Sequence, residues 1–143
     1  MHIPVLLHES IEGLAIKEGG VYVDCTTNRG GHSEAIAKAL GESGTLICID
    51  LDQEALGEAR VKIETMKHLP KVHFIHPNFR HLPSILKDLK LTHVDGILAD
   101  LGVSSQELDE SGRGFSFRFD EPLLMTFNAK PEEDVTTAFD IVN

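Results

Sequence analysis

The sequence is short of positive charge: 13 Lys and Arg stand against 23 Asp and Glu, a formal balance of −10. A chain this acidic is suited to staying in solution and poorly suited to gripping a nucleic-acid backbone by charge alone. It also lacks any apolar run near the roughly 20 residues of a membrane helix, and its N-terminus lacks the charged and apolar regions of a secretory signal. A cytoplasmic protein is therefore expected. Cysteine is scarce, with two residues, Cys25 and Cys48, both in expected buried strands where a thiol behaves as a small apolar group. The eight histidines do not make a metal site: His73 and His76 fall on opposite faces of a strand and His81 lies beyond the next turn. Repeats and low-complexity stretches are absent as well. What remains, in 143 residues of which 41% are hydrophobic, is enough for one real core.

The organising stretch is Val21 to Ser33. A β-branched and aromatic run, Val21-Tyr22-Val23, leads through Asp24 into a small, polar turn containing Gly30-Gly31. Ser33 then opens a helical pattern with Ala35, Ile36, Ala39 and Leu40. Strand, glycine turn and helix together set backbone N–H groups and a helix N-terminus beside a groove that a ligand can approach closely. The next element, Thr45 to Asp50, is a continuous apolar run closed by an acid, as a buried parallel strand should be. Asp50 follows Gly30 at about the 20-residue spacing at which an acid meets ribose hydroxyls in nucleotide-binding βαβ units. The full G-x-G-x-x-G of a pyrophosphate cradle is missing, because Asn28 holds the first glycine's place and no glycine follows Gly31 in register. This pattern disfavours NAD and favours a ligand with a ribose and no phosphates, such as S-adenosylmethionine. Asn28 tolerates a positive φ, so the turn survives the replacement.

The remaining elements follow by periodicity. Pro4 makes the N-terminus an extended lead-in, and Leu7, Ile11 and Leu14 mark a short helix. Asp52 is the expected N-cap of a helix reaching about Lys67, with Leu56, Ala59, Ile63 and Met66 inward. Val72–Ile75 reads as a third strand, Leu82–Leu89 as a helix with Pro83 in its first turn, and Val94–Leu101 as a fourth strand ending near Asp100. Alternating strands and helices give an α/β fold with a parallel, doubly wound sheet of about four strands. In the order 3-2-1-4 the fourth strand lies at the edge although Ile97, Leu98 and Ala99 are apolar on both faces. Further chain or a partner, a second copy or a complementing chain, is expected to cover it. Asp100, Asp50 and the Gly30 turn converge on one crevice. Beyond it, Phe115, Phe117 and Phe119 alternate with polar residues, which puts three rings on one side of an extended segment. They either close over the core or, with Arg113 or Arg118, stack on a splayed-out base. Acids precede a last helical pattern that starts near Val135.

His2-Ile-Pro-Val-Leu-Leu7, Asn28-Arg-Gly-Gly-His-Ser33, Asp100-Leu-Gly-Val-Ser-Ser105 and Arg113-Gly-Phe-Ser-Phe-Arg118, in this order and spacing, resemble the RsmH (MraW) family. The resemblance implies a Rossmann-like class I methyltransferase, with residues 1–109 forming the S-adenosylmethionine-binding part and 110–143 a loop and the start of a helical insertion. It implies methyl transfer to N4 of a cytidine in 16S ribosomal RNA of the small ribosomal subunit. By the same resemblance Gly30, Gly31 and His32 contact the cofactor, Asp50 binds its ribose, and Phe79 and Asp100 flank its adenine and methionine portions. Glu107 stands at a further contact position where the family usually has glutamine. Leu124 and Thr126 replace the family's commoner Asp and Arg, a departure on the substrate side. Asp100 is also the candidate catalytic residue, placed to accept a hydrogen bond from the N4 amine. Two alternatives stay open: a cofactor-binding or interaction module without catalysis, and an NAD-binding domain.

Overall fold

The computed structural model describes residues 6–76, 78–103, 108–109, 112–127 and 135–142. The chain divides into two units, Met1–Asp100 and Leu101–Asn143.

The first unit is built on β-branched runs. Val21–Asp24 (β1), Thr45–Ile49 (β2), Lys71–Ile75 (β3) and Gly96–Leu98 (β4) form one parallel sheet in the order β3-β2-β1-β4. Val21 pairs with Thr45 and Tyr22 with Gly96, so β1 and β2 occupy the middle. Side-chain alternation then sorts the core into two faces. Tyr22, Leu46 and Cys48 point to one, where they meet Ile36, Ala37 and Leu40 of α2 (Gly31–Leu40) and Leu56 and Ile63 of α3 (Gln53–Glu64). Ile11 and Leu14 of α1 (Leu7–Leu14) pack on the same cluster. Val23, Cys25, Ile47 and Ile49 point to the other, against Ile85, Leu82 and Leu86 of α4 (Leu82–Asp88). Helices on both faces explain why β1 and β2 read as unbroken apolar runs.

Local chemistry fixes the boundaries. Asp52 caps α3 by accepting hydrogen bonds from the Glu54 and Ala55 amides, and the helix ends at Glu64 rather than Lys67, with the Thr65 hydroxyl donating to the Lys62 carbonyl and His68 in left-handed backbone. The second helix begins at Gly31, two residues earlier than Ser33. Asn28 and Gly30 both take left-handed backbone (φ 46° and 76°), which reverses the chain early and places Ser33 inside the helix. The fourth strand is shorter than Val94–Leu101. The Cys25 amide donates to the Leu98 carbonyl, after which β1 departs into its turn and leaves residues 99–101 with no ladder on that side. Ile97 accordingly sits 49% exposed on an edge strand.

In the second unit Arg113 acts as a staple. Its guanidinium donates to the carbonyls of Thr126 (2.7 Å) and Phe127, and its own carbonyl accepts from the Met125 amide. Phe115 packs on Phe127 with ring centroids 5.8 Å apart. The three phenylalanines do not share one side of an extended segment: the chain turns at Phe117-Arg118, leaving Phe117 fully exposed and Phe115 partly buried. Arg118 pairs with Asp109 at 2.6 Å. The terminal helix α5 spans Ala138–Val142, where Asp140 accepts from both the amide and the hydroxyl of Thr137. Residues 1–5, including Pro4, and Glu107 lie outside the described residues.

Candidate functional site

The carboxyl ends of the strands are shaped by side chains that fold back onto the main chain two residues ahead. Asp24, at the end of β1, accepts from the Thr26 amide (3.1 Å); Asp50, just past β2, accepts from the Asp52 amide (2.8 Å); Asn78, past β3, accepts from the Arg80 amide (2.9 Å). Each turn carries the chain off the sheet at the carboxyl ends of the strands, the side on which ligands bind in open parallel sheets, next to the point between β1 and β4 where the strand order reverses.

Asp24 is fully buried. Its second oxygen accepts a 2.6 Å hydrogen bond from the Ser33 hydroxyl, and its carbonyl accepts from the Thr27 hydroxyl. Burial pushes its pKa up from the ordinary aspartate range; the Ser33 and Thr26 hydrogen bonds and nearby His32 oppose the shift, and Asp50 adds to it. Asp50, partly buried, is tied across to the glycine turn: the Asn28 amide donates to it at 2.6 Å. The two βα connections are thereby locked to each other. The ring of His76 donates to the Leu51 carbonyl at 3.1 Å, which brings the exit of β3 to that of β2.

Gly30, Gly31, His32, Asp50, Phe79 and Asp100 all stand at this edge of the sheet. Gly30 ends the β1–α2 turn, Gly31 and His32 form the first turn of α2 with His32 buried, and Phe79 opens the 3₁₀ turn Phe79–His81, 38% exposed. Asp100 lies two residues past β4 and is exposed, not a buried acid closing a strand. Gly30 has a further reason to be glycine: a Cβ there would meet the Ala59 Cβ at 3.0 Å and its Cα at 3.2 Å, so the residue also sets how closely α2 and α3 approach. Arg29 is paired with Glu58 at 3.2 Å.

The sequence reading passed over Asp24, Thr26 and Ser33. The available signal was an acid closing a β-run with a hydroxyl residue one helical turn inside the following helix. The two thiols stay out of the chemistry: burial pushes Cys25 up to about 11 and Cys48 up to about 12, with the Asp24 charge adding to both. Among the described residues no group of His, Cys, Asp and Glu is arranged to hold a metal, and no helix is long and apolar enough to cross a membrane.

Over residues 1–143 the chain matches the MraW methylase family. It belongs to that family. It is 48% identical over 142 residues to the ribosomal RNA small subunit methyltransferase H of Streptococcus mutans, covering 99% of this chain and 44% of that protein. The protein of the same name from Clostridium botulinum strain Kyoto is 49% identical, with the same shares covered. The chain thus spans less than half the length of these curated relatives. Among solved structures, an rRNA-methylase candidate from Clostridium thermocellum superposes with a TM-score of 0.51 at 22% identity, covering 59% of this chain and 48% of that one. At that identity the likeness speaks for the fold alone: a Rossmann-like parallel sheet, with four strands among the described residues.

Proposed function

We propose that this MraW methylase chain binds S-adenosylmethionine at the carboxyl ends of β1, β2 and β4, and that the protein it represents methylates N4 of a cytidine in small-subunit ribosomal RNA. The observation that carries this reading is Asp50: a carboxylate at the end of β2, clamped by the Asn28 and Asp52 amides beside a left-handed glycine turn. A carboxylate so placed suits a ribose diol. The donor set fits this ligand in a second respect. Asp50 and Asp100 stand at the strand ends while the neighbouring Arg29 is engaged by Glu58, so the local charge favours a cationic sulfonium and disfavours phosphates.

When bound, the donor supplies an electrophilic methyl group on sulfur. The chain's own residues bind and orient. Gly30, Gly31 and His32 form the wall at the start of α2, and Phe79 offers an aromatic face to the adenine. An exocyclic cytosine amine is a weak nucleophile because its lone pair is delocalised into the ring, so it gains from an acceptor that orients it and offsets the charge it acquires. Asp100, exposed at the mouth, is that acceptor; Asp24 is held by Ser33 and Thr26. Residues 1–109 make the donor-binding part and 110–143 a loop and the start of a helical insertion. With 13 bases against 23 acids over its 143 residues, the chain supplies the donor site rather than the grip on the RNA backbone.

Titration calorimetry with S-adenosylmethionine and with NAD tests the reading. Saturable heat with the first and none with the second is expected, with Asp50→Ala weakening binding by about tenfold or more. Silence with S-adenosylmethionine, or equal binding of NAD, overturns it. Transfer of labelled methyl to small ribosomal subunits then separates an active enzyme from a donor-binding module without catalysis.

A further inference from the structure

We infer that Thr26 is a positioning residue whose side chain holds Asp100 in the site. In a parallel ladder the rung after Cys25 N–H to Leu98 C=O runs from the Asp100 amide to the Cys25 carbonyl. Here the Asp100 amide donates instead to Thr26 Oγ1, at 2.7 Å. A side-chain oxygen has replaced a main-chain acceptor at the point where β1 must leave the sheet. The exchange lets β1 curl into the glycine turn while the end of β4 is still tethered to it.

The tether is itself anchored. The Thr26 amide is fixed on Asp24, and Asp24 is fixed by Ser33 from inside α2. Ser33, Asp24, Thr26 and Asp100 thus form one continuous hydrogen-bonded path from the helix core to the exposed mouth. Every link before Asp100 is made by a buried or partly buried residue, so the path is rigid where it starts and presents an exposed carboxylate where it ends. Residue 26 consequently needs a hydroxyl and not merely a β-branched shape. The inference rests on the proposed donor site for its functional consequence, but its structural half does not.

Thr26→Val and Thr26→Ser separate the two halves. Valine keeps the branched shape and removes the acceptor; serine keeps the acceptor. Residue-resolved amide hydrogen exchange on the 143-residue chain should show the Asp100 amide about fivefold or more faster in T26V, with the Cys25 and Asp50 amides unchanged, and near wild type in T26S. Binding of S-adenosylmethionine by calorimetry should weaken about fivefold in T26V and recover in T26S. Unchanged Asp100 exchange in T26V overturns the tether, as does equal acceleration at Cys25 and Asp50, which would mean general loosening. Faster Asp100 exchange with unchanged affinity overturns the positioning role. If wild type binds no S-adenosylmethionine, the proposed donor site fails, and the positioning role with it, while the exchange data still decide the tether.

Discussion

Gly30→Ala measures how much of the glycine turn serves packing between helices. The backbone at this residue is left-handed, with φ 76°, which costs an alanine about 1–2 kcal/mol. The added methyl would also sit 3.0 Å from the Ala59 Cβ and 3.2 Å from its Cα, atoms that cannot rotate away because Ala59 lies in the middle of α3 and is fully buried. Moving α3 by a few tenths of an ångström strains the Leu56 and Ile63 contacts and belongs to the overpacking range of about 1–3 kcal/mol. The expected total is about 2–5 kcal/mol, a large part of the stability of a domain this size. Urea unfolding of Gly30→Ala, Ala59→Gly and the double variant isolates the contact. Ala59→Gly alone should cost about 2 kcal/mol from the lost methyl and from helix propensity. The double variant should be less destabilised than the sum of the two by about 1–3 kcal/mol, because the Cβ contact is gone and only the 3.2 Å approach to the residue 59 Cα and the φ strain remain. Additivity within about 0.5 kcal/mol would refute the reasoning and leave the turn's geometry as the sole reason for glycine.

Gly57 is the counterexample on the same helix: it lies exposed within α3 with nothing within 4 Å of a built Cβ, so Gly57→Ala should stabilise by about 1 kcal/mol in the same urea assay. Asp24 has its pKa raised by burial, so the folded state holds the proton more tightly than the unfolded one. Its protonated form contributes stability that is complete below the ordinary value of 3.8 and is lost as pH rises through the folded pKa. Asp24→Asn, which cannot ionise, should therefore gain on wild type in unfolding midpoint between pH 4 and pH 8; a difference that stays flat across that range contradicts the shift. Both thiols should resist a disulfide reagent at pH 8 until denaturant is added, given pKa values pushed to about 11 and about 12 behind the sheet faces.

The alternation of elements, the order β3-β2-β1-β4 and the Asp52 cap were legible in the sequence because each is set by neighbours along the chain: a hydrophobic period, a crossover helix, an acid two residues ahead of an amide. The boundaries that moved were decided across the chain. Ser33 looks like a cap from its neighbours, yet its hydroxyl belongs to Asp24, a partner nine positions back on another element. Ala99 and Leu101 read as a continuation of β4, yet β1 has already turned away from them. Phe115, Phe117 and Phe119 alternate as a strand would, yet Arg113 binds the carbonyls of Thr126 and Phe127 and Phe115 joins Phe127. The site shows the same division. Asp24, Asp50 and Asp100 are equivalent in sequence, each closing a β-run. The fold separates them by what packs over each strand end: α2 returns across Asp24 and buries it, the Asn28 amide reaches Asp50 and half covers it, and the edge position of β4 leaves Asp100 open. Three identical side chains thereby end up buried, half-buried and exposed, and the difference follows from strand order rather than from residue type.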